Sequence, residues 1–287
     1  MPTFPGLRPW LARAVLDPLP VPAATLADLT GRVHPVAGSR VLVTGASSGV
    51  GRAASLLLAA HGATVLTVAR RGDELEALGE EIAAAGGTSY PLPCDLTDAD
   101  AIDALTTEAL ALVGGLDVLV NNAGHSIRRS AADTVVRPSD HDRLMRLNYH
   151  APVRLTLNLL DALRSSRGQV VNSSTWGVPG GLMPHFTAYH ASKAALAAFA
   201  RSLQAEERAH GIAVTSLHFP LMRTPMIAPT TGYDARAALE PEEAARWVLR
   251  AVRHRPIEVM PAYASLLEKT GSVSPRLAER LVRAAAM

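Results

Sequence analysis

From about residue 39 onward, short apolar runs alternate with longer segments whose apolar residues recur at helical spacing. The runs are Ser39–Val43, Ala63–Ala69, Ser89–Cys94, Leu116–Val120, Gln169–Val171, Ile212–His218 and Ile257–Ala262. They are apolar along their length rather than alternating, as strands buried on both faces must be. Between them lie RAASLLLAAHG, DELEALGEEIAAAG, DLTDADAIDAL, a long amphipathic stretch from His141 to Arg164, AALAAFARSL and EPEEAARWVLRAVRHR. Strands alternating with helices predict an α/β fold with a parallel sheet covered on both sides. Pro152 falls inside the long stretch, where it removes a backbone hydrogen bond and predicts a kink. Pro241 opens the helix near residue 240, a position where proline costs nothing. Ser274–Met287 reads as a short basic amphipathic helix.

Residues 1–38 lack this rhythm and are punctuated by proline. They read as an N-terminal extension to a single domain spanning 39–287. Within them LRPWLARAVL carries Leu7, Trp10, Leu11 and Val15 at helical spacing. It predicts an arm lying on the body or across a subunit boundary. Its few basic residues make a lipid-facing arm the weaker reading.

Composition narrows the function. The chain has 287 residues, enough for one large domain with a substantial core, and a formal charge of +2. Its basic residues are scattered, which argues against nucleic acid as a partner. Cys94 is the only cysteine, so no internal disulfide can form. No run approaches the ~18 apolar residues of a membrane span, and no leader with a cleavage site is evident. The expectation is a cytoplasmic protein. The 10 histidines include no compact ligand cluster, so no metal site is expected.

The first strand runs into TGASSGVG, placing Gly45, Gly49 and Gly51 between a strand and a helix. Glycines there permit a tight turn and close approach of a pyrophosphate to the helix N-terminus. Thr44, Ser47 and Ser48 add hydroxyls, and Val50 opens the helix. The stretch therefore reads as a Rossmann-type nucleotide site. The second strand ends in Arg70-Arg71, where an NAD-specific site carries an acid for the ribose hydroxyls. Two guanidinium groups suit a 2′-phosphate instead, so the reading is NADP(H), with Arg70 as principal contact.

Further along, NSSTWGVPGGLMPHFTAYHASK places Tyr189 and Lys193 four residues apart ahead of a helix-forming run. One turn of helix separates them, on one face. A cation beside a phenol favours the phenolate and lowers its pKa. Such a pair can pass a proton to a carbonyl oxygen, and Ser174, or its neighbour Ser173, can hydrogen-bond that oxygen.

Glycine-rich turn, serine pair, tyrosine and lysine, in this order, resemble the short-chain dehydrogenase/reductase family over residues 39–262. The resemblance implies further roles. Asp95, followed by Leu96, would meet the adenine amino group, although Asp95 also suits a helix cap. Asn122, Ala123 and Gly124, after Asn121, would lie beside the cofactor. Asn148 would hold the active-site lysine through water. Pro220 and Thr224 would sit near the nicotinamide carboxamide, although Leu221 replaces the family's glycine. Ser174 lies fifteen residues before Tyr189, slightly farther than the family habit. Residues 225–240 would close over substrate. Homodimers or homotetramers are the family's common assemblies.

Within that family, NNAGHSIRRS, GVPGGLMPHFTAYHASKAAL and PLMRTPMIAPT are similar to the reductase domains of bacterial fatty acyl-CoA reductases, which use NADPH. An apolar wall fits: Trp176, Val178, Leu182, Met183, Pro184 and Phe186 precede Tyr189, with Leu221, Met222, Met226 and Ile227 opposite. Arg128 and Arg129 could meet the phosphates of a coenzyme A thioester. The competing readings are a reductase of small ketones or polyketide-like carbonyls, and a non-catalytic nucleotide-binding regulator.

Overall fold

The structure is a computed structural model and describes residues 16–18, 33–227 and 237–286. Most of the predicted N-terminal arm and the middle of the 225–240 loop lie outside the described residues.

Seven strands form one sheet: β1 Arg40–Thr44, β2 Thr64–Ala69, β3 Thr88–Pro93, β4 Val118–Asn121, β5 Gln169–Thr175, β6 Ala213–Phe219 and β7 Glu258–Val259. Their spatial order is β3-β2-β1-β4-β5-β6-β7, and every pairing is parallel. The helices are α1 Gly49–Ala60, α2 Gly72–Ala84, α3 Ala99–Val113, α4 Ala131–Thr134, α5 Ser139–Met145, α6 Ala151–Asn158 and α7 Leu160–Ser166. They continue as α8 Gly177–Gly180, α9 Thr187–Glu207, α10 Pro241–His254, α11 Ala262–Val273 and α12 Pro275–Ala286.

Alternate residues of each strand face opposite ways, so the sheet builds two cores. Val41, Val43, Val65, Val120 and Val171 meet α1, α2, α10 and α11 on one face. Leu42, Leu66, Leu119, Val170 and Val214 meet α3, α6, α7 and α9 on the other. This is the expected doubly wound, Rossmann-type sandwich. The chain leaves β1 toward β2 and β3, then returns to β4 on the opposite side. A crevice therefore opens beyond the carboxyl ends of β1 and β4, where ligands of such sheets bind.

Three expectations need correction. The last strand covers only Glu258–Val259, against Ser216 and Leu217 of β6. Pro261 then caps α11, which the apolar pattern did not reveal. Second, the long 141–164 stretch is not one regular helix. The backbone widens into a π-helical turn at Arg146–His150, and Pro152 falls in the first turn of α6. The missing proline N–H is absorbed there. Third, β5 runs four residues beyond its apolar core, because Asn172–Thr175 stay paired with β6 as far as Phe219. That extension carries the serine pair.

At the other edge, Pro18 bridges Pro261, and Asp17 O accepts the Ala262 N–H at 3.2 Å. Leu16 is buried in the same core as α11.

Candidate active site

The glycine-rich turn leaves β1 with Gly45 at φ +70° and Gly49 at φ +53°, both in the region glycine favours. Gly51 is constrained by space instead. A Cβ there would lie 2.2 Å from the Gly45 carbonyl oxygen and 2.7 Å from Asn122 Nδ2. Thr44 Oγ1 accepts the N–H groups of Asn122 and Ala123, at 2.9 and 3.0 Å, and donates to Val120 O. Asn122 Nδ2 donates to Thr44 O at 2.9 Å. The ends of β1 and β4 are thereby stitched into one floor. Ser48 stands at the N-cap of α1 but makes no side-chain capping bond, and the first turn carries no acid. Close backbone and an uncapped helix N-terminus suit a pyrophosphate.

At the end of β2 the two arginines differ. Arg71 reaches back to the turn, donating to Ser47 Oγ at 3.1 Å, and pairs with Glu74 at 3.3 Å. Arg70 is exposed, and its charge acts on Asp95 and His125. Asp95 Oδ1 accepts Thr97 N–H at 2.9 Å and Thr97 Oγ1–H at 2.8 Å. Those bonds hold its carboxyl below the usual range. The capping role weighed for Asp95 falls to Asp98, which accepts the N–H groups of Asp100 and Ala101. Leu96 turns its side chain into the core, leaving only its backbone for a ligand.

β5 delivers the serines and the opening turns of α9 carry Tyr189 and Lys193. Lys193 is 4% exposed and donates to Ser173 O at 2.8 Å. Burial draws its ammonium down to about 8. A Cβ on Gly124 would come within 3.3 Å of Lys193 Nζ and 3.2 Å of Asn148 Oδ1, so the NNAG turn roofs the lysine. Ser173 Oγ donates to Asn122 Oδ1 at 3.4 Å. Ser174 Oγ is buried with no hydrogen-bond partner among the described residues. Of the two serines, Ser174 is the one with an uncommitted hydroxyl.

Tyr189 departs from the sequence expectation. Burial pushes its phenol up to about 12, and a hydrogen bond with Thr175 draws it partly back. Lys193, turned toward the Ser173 carbonyl, is absent from that balance.

Asn148, in the π-turn, is fully buried. Its Oδ1 accepts His125 N–H, while Nδ2 donates to His125 O and to Ser192 Oγ, all between 2.9 and 3.0 Å. The side chain is thus spent on clamping the 125 turn to α9, and a water relay would have to run through the Asn148 carbonyl. Pro152, four residues on, has no N–H to give that carbonyl its usual α-helical bond.

The predicted apolar wall is only partly a wall. Trp176 is 4% exposed, packs 5.7 Å from the Tyr263 ring of α11 and belongs to the core. Leu182, Met183 and Met222 rest half-buried on that core. Phe186 stands edge-on to Tyr189, with ring centroids 6.1 Å apart. Across the cleft, Pro220 is buried at the end of β6 and Thr224 abuts the turn, its Cγ2 lying 3.0 Å from where a Gly49 Cβ would be. Met226 remains exposed. One feature went unread in the sequence: Asp140, buried, holds Arg129 Nε at 2.9 Å and Arg143 Nη2 at 3.1 Å. The Asp140–Arg143 spacing is ordinary for a helix surface, and nothing local points to Arg129.

Residues 39–233 match the family model for short chain dehydrogenases. The chain belongs to the short-chain dehydrogenase/reductase family. It is accordingly an oxidoreductase, and it resembles the fatty acyl-CoA reductases. A fatty acyl-CoA reductase of Mycobacterium tuberculosis is 43% identical over 282 residues, covering 98% of this chain and 93% of the relative. One from Acinetobacter baylyi is 45% identical over 241 residues, covering 84% and 81%. Among solved structures, a metagenomic short-chain oxidoreductase in complex with NADP is 32% identical with a TM-score of 0.67, covering 79% of this chain and 98% of that one. The 3-ketoacyl-(acyl-carrier-protein) reductase of Brucella melitensis, complexed with NADH, is 25% identical with a TM-score of 0.69, covering 76% and 91%. No helix among the described residues is long and apolar enough to cross a membrane.

Proposed function

We propose that this short-chain oxidoreductase is an NADP(H)-dependent reductase of lipophilic carbonyls, a fatty aldehyde or acyl thioester. The observation that carries the reading is Lys193 bound to the Ser173 carbonyl and the Tyr189 phenol bound to Thr175, on either side of the uncommitted Ser174 hydroxyl. The resemblance to fatty acyl-CoA reductases supplies the substrate class.

The cofactor would lie from the Arg70 end, over Gly45–Gly51 and α1, to the cleft between Gly124 and Thr224. Asp95 has an oxygen to spare for the adenine, since Thr97 occupies only Oδ1. When bound, the nicotinamide supplies a hydride to the carbonyl carbon. Tyr189 gives its proton to the carbonyl oxygen, and Ser174 Oγ donates a hydrogen bond to the same oxygen. Lys193 offers positive charge behind the phenol once a ligand competes with the Ser173 carbonyl for its protons. Asn148 holds the 125 turn that roofs this lysine. An aldehyde would leave as an alcohol, and a thioester as an aldehyde plus a thiol.

Chain length tests the substrate class. Each buried methylene contributes about 0.8 kcal/mol. NADPH-dependent kcat/KM should therefore rise from butanal to hexadecanal, and then along the matching acyl thioesters. A flat profile, or a preference for short polar ketones, would sink the lipid reading.

Arg70 tests the cofactor. Losing a charge-assisted phosphate contact costs roughly 1.5–3 kcal/mol, about ten- to hundredfold in affinity. Arg70→Ala should weaken NADPH by that factor and barely alter NADH, as followed by fluorescence titration. Equal losses on both cofactors would refute it. In this reading residues 39–287 work as one domain behind the 1–38 extension, in a cytoplasmic homodimer or homotetramer.

A further inference from the structure

A second charged group borders the loop that precedes Tyr189. The chain leaving β4 through HSIRR runs beside that loop: Arg129 N–H donates to His185 O at 2.7 Å, and Arg129 forms a parallel bridge with Phe186. Asp140, only 7% exposed along its side chain, binds Arg129 Nε at 2.9 Å from one oxygen and Arg143 Nη2 at 3.1 Å from the other. Arg128, next in sequence, is exposed, and so is His125, whose backbone Asn148 clamps on both sides. Burial first, and then the charges of Arg143 and Arg70, hold the His125 imidazole below its ordinary value, with Asp140 acting against them.

A latch tying the HSIRR segment to α5 would need Arg129 and Asp140 alone. Arg143 adds a second guanidinium to the same carboxylate and leaves 62% of its own side chain in solvent. Like charges gathered on one buried acid repel one another until an anion arrives. Guanidinium groups match phosphate oxygens in fork geometry. This rim lies beside Phe186, which stands against Tyr189, so an anion here would be joined to whatever enters the cleft.

We infer that Arg143, with Arg128 and Arg129, binds the phosphates of the coenzyme A portion of an acyl-CoA substrate. The acyl chain then runs toward Leu182, Met183 and Met222. The inference rests on the lipophilic-carbonyl reading and deepens it. The rim differs from the proposed NADP contact at Arg70 in the elements that carry it, the segment after β4 and α5 rather than the end of β2.

The test compares three substrates with one acyl chain: palmitoyl-CoA, the S-palmitoyl thioester of pantetheine, and hexadecanal. Arg143→Ala, and separately Arg128→Ala, should lower kcat/KM for palmitoyl-CoA about ten- to hundredfold relative to the other two. The loss should fall on KM rather than kcat. Arg143→Lys should restore part of it. Calorimetry of free coenzyme A against pantetheine, which needs no turnover, should show tighter binding of coenzyme A to the wild type and the same loss in Arg143→Ala. Equal losses on all three substrates, or none on palmitoyl-CoA, would overturn the inference. So would equal binding of coenzyme A and pantetheine. A wild type that binds coenzyme A through Arg143 yet reduces neither aldehydes nor thioesters would overturn the proposed function instead.

Discussion

Tyr189→Phe is expected to lower kcat by about 10²–10⁴-fold, the usual contribution of a positioned proton donor. NADPH binding should survive, because the glycine-rich turn and Arg70 are untouched. Burial pushes the unliganded phenol up to about 12. It is therefore fully protonated at neutral pH, which suits an acid in the reductive direction. In the oxidative direction the same group must first lose its proton. Reduction should accordingly hold its rate up to higher pH than alcohol oxidation needs to begin. Ser174→Ala, removing one of the two donors to the carbonyl oxygen, should cost kcat more than Ser173→Ala, whose hydroxyl is already engaged with Asn122. A Tyr189→Phe enzyme retaining a large share of wild-type kcat would end the assignment.

The parts of this site that could be read from sequence share one property: their geometry is local. Tyr189 and Lys193 are one helical turn apart, and Gly45–Gly51 form a single strand-to-helix turn. The short apolar runs likewise announced the strands, since burial on both faces leaves little choice of residue. What escaped depended on tertiary contacts. AYASLLEKTGSV carries Leu266 and Val273 on its exposed side, so α11 has no clean apolar stripe to betray it. Missing α11 meant missing Tyr263, and without Tyr263 there was no reason to place Trp176 in the core. Arg129 and Asp140 are eleven residues apart and meet only because α5 folds back under the HSIRR segment. Asp95 looked like a cap because its sequence suits one. Asp98 takes the role since α3 starts at Ala99.

Lys193→Met should abolish most turnover and raise stability. The ammonium is buried and is drawn from 10.5 down to about 8 by desolvation alone. At about 1.4 kcal/mol per pH unit, charging this lysine costs the fold roughly 3 kcal/mol. Methionine fills a similar volume without the charge and forgoes one hydrogen bond to the Ser173 carbonyl. That bond involves a charged donor and is worth about 1.5–3 kcal/mol, which offsets much of the desolvation cost. The variant should therefore gain up to about 1.5 kcal/mol in urea unfolding at neutral pH, a functional site giving up the cost of its buried charge. The pH dependence supplies a second readout. The unfolded lysine keeps its proton up to about 10.5 and the folded one releases it near 8, so the unfolded state binds more protons between them. Wild-type stability should rise with pH across that window, and this rise should vanish in Lys193→Met. Above pH 10 the sign reverses for both proteins: folded Tyr189 holds its proton to about 12 while the unfolded phenol releases it near 10.0. A Lys193→Met variant less stable than wild type at pH 7, or one keeping the rise above pH 8, would show that the ammonium is held by more than the Ser173 carbonyl.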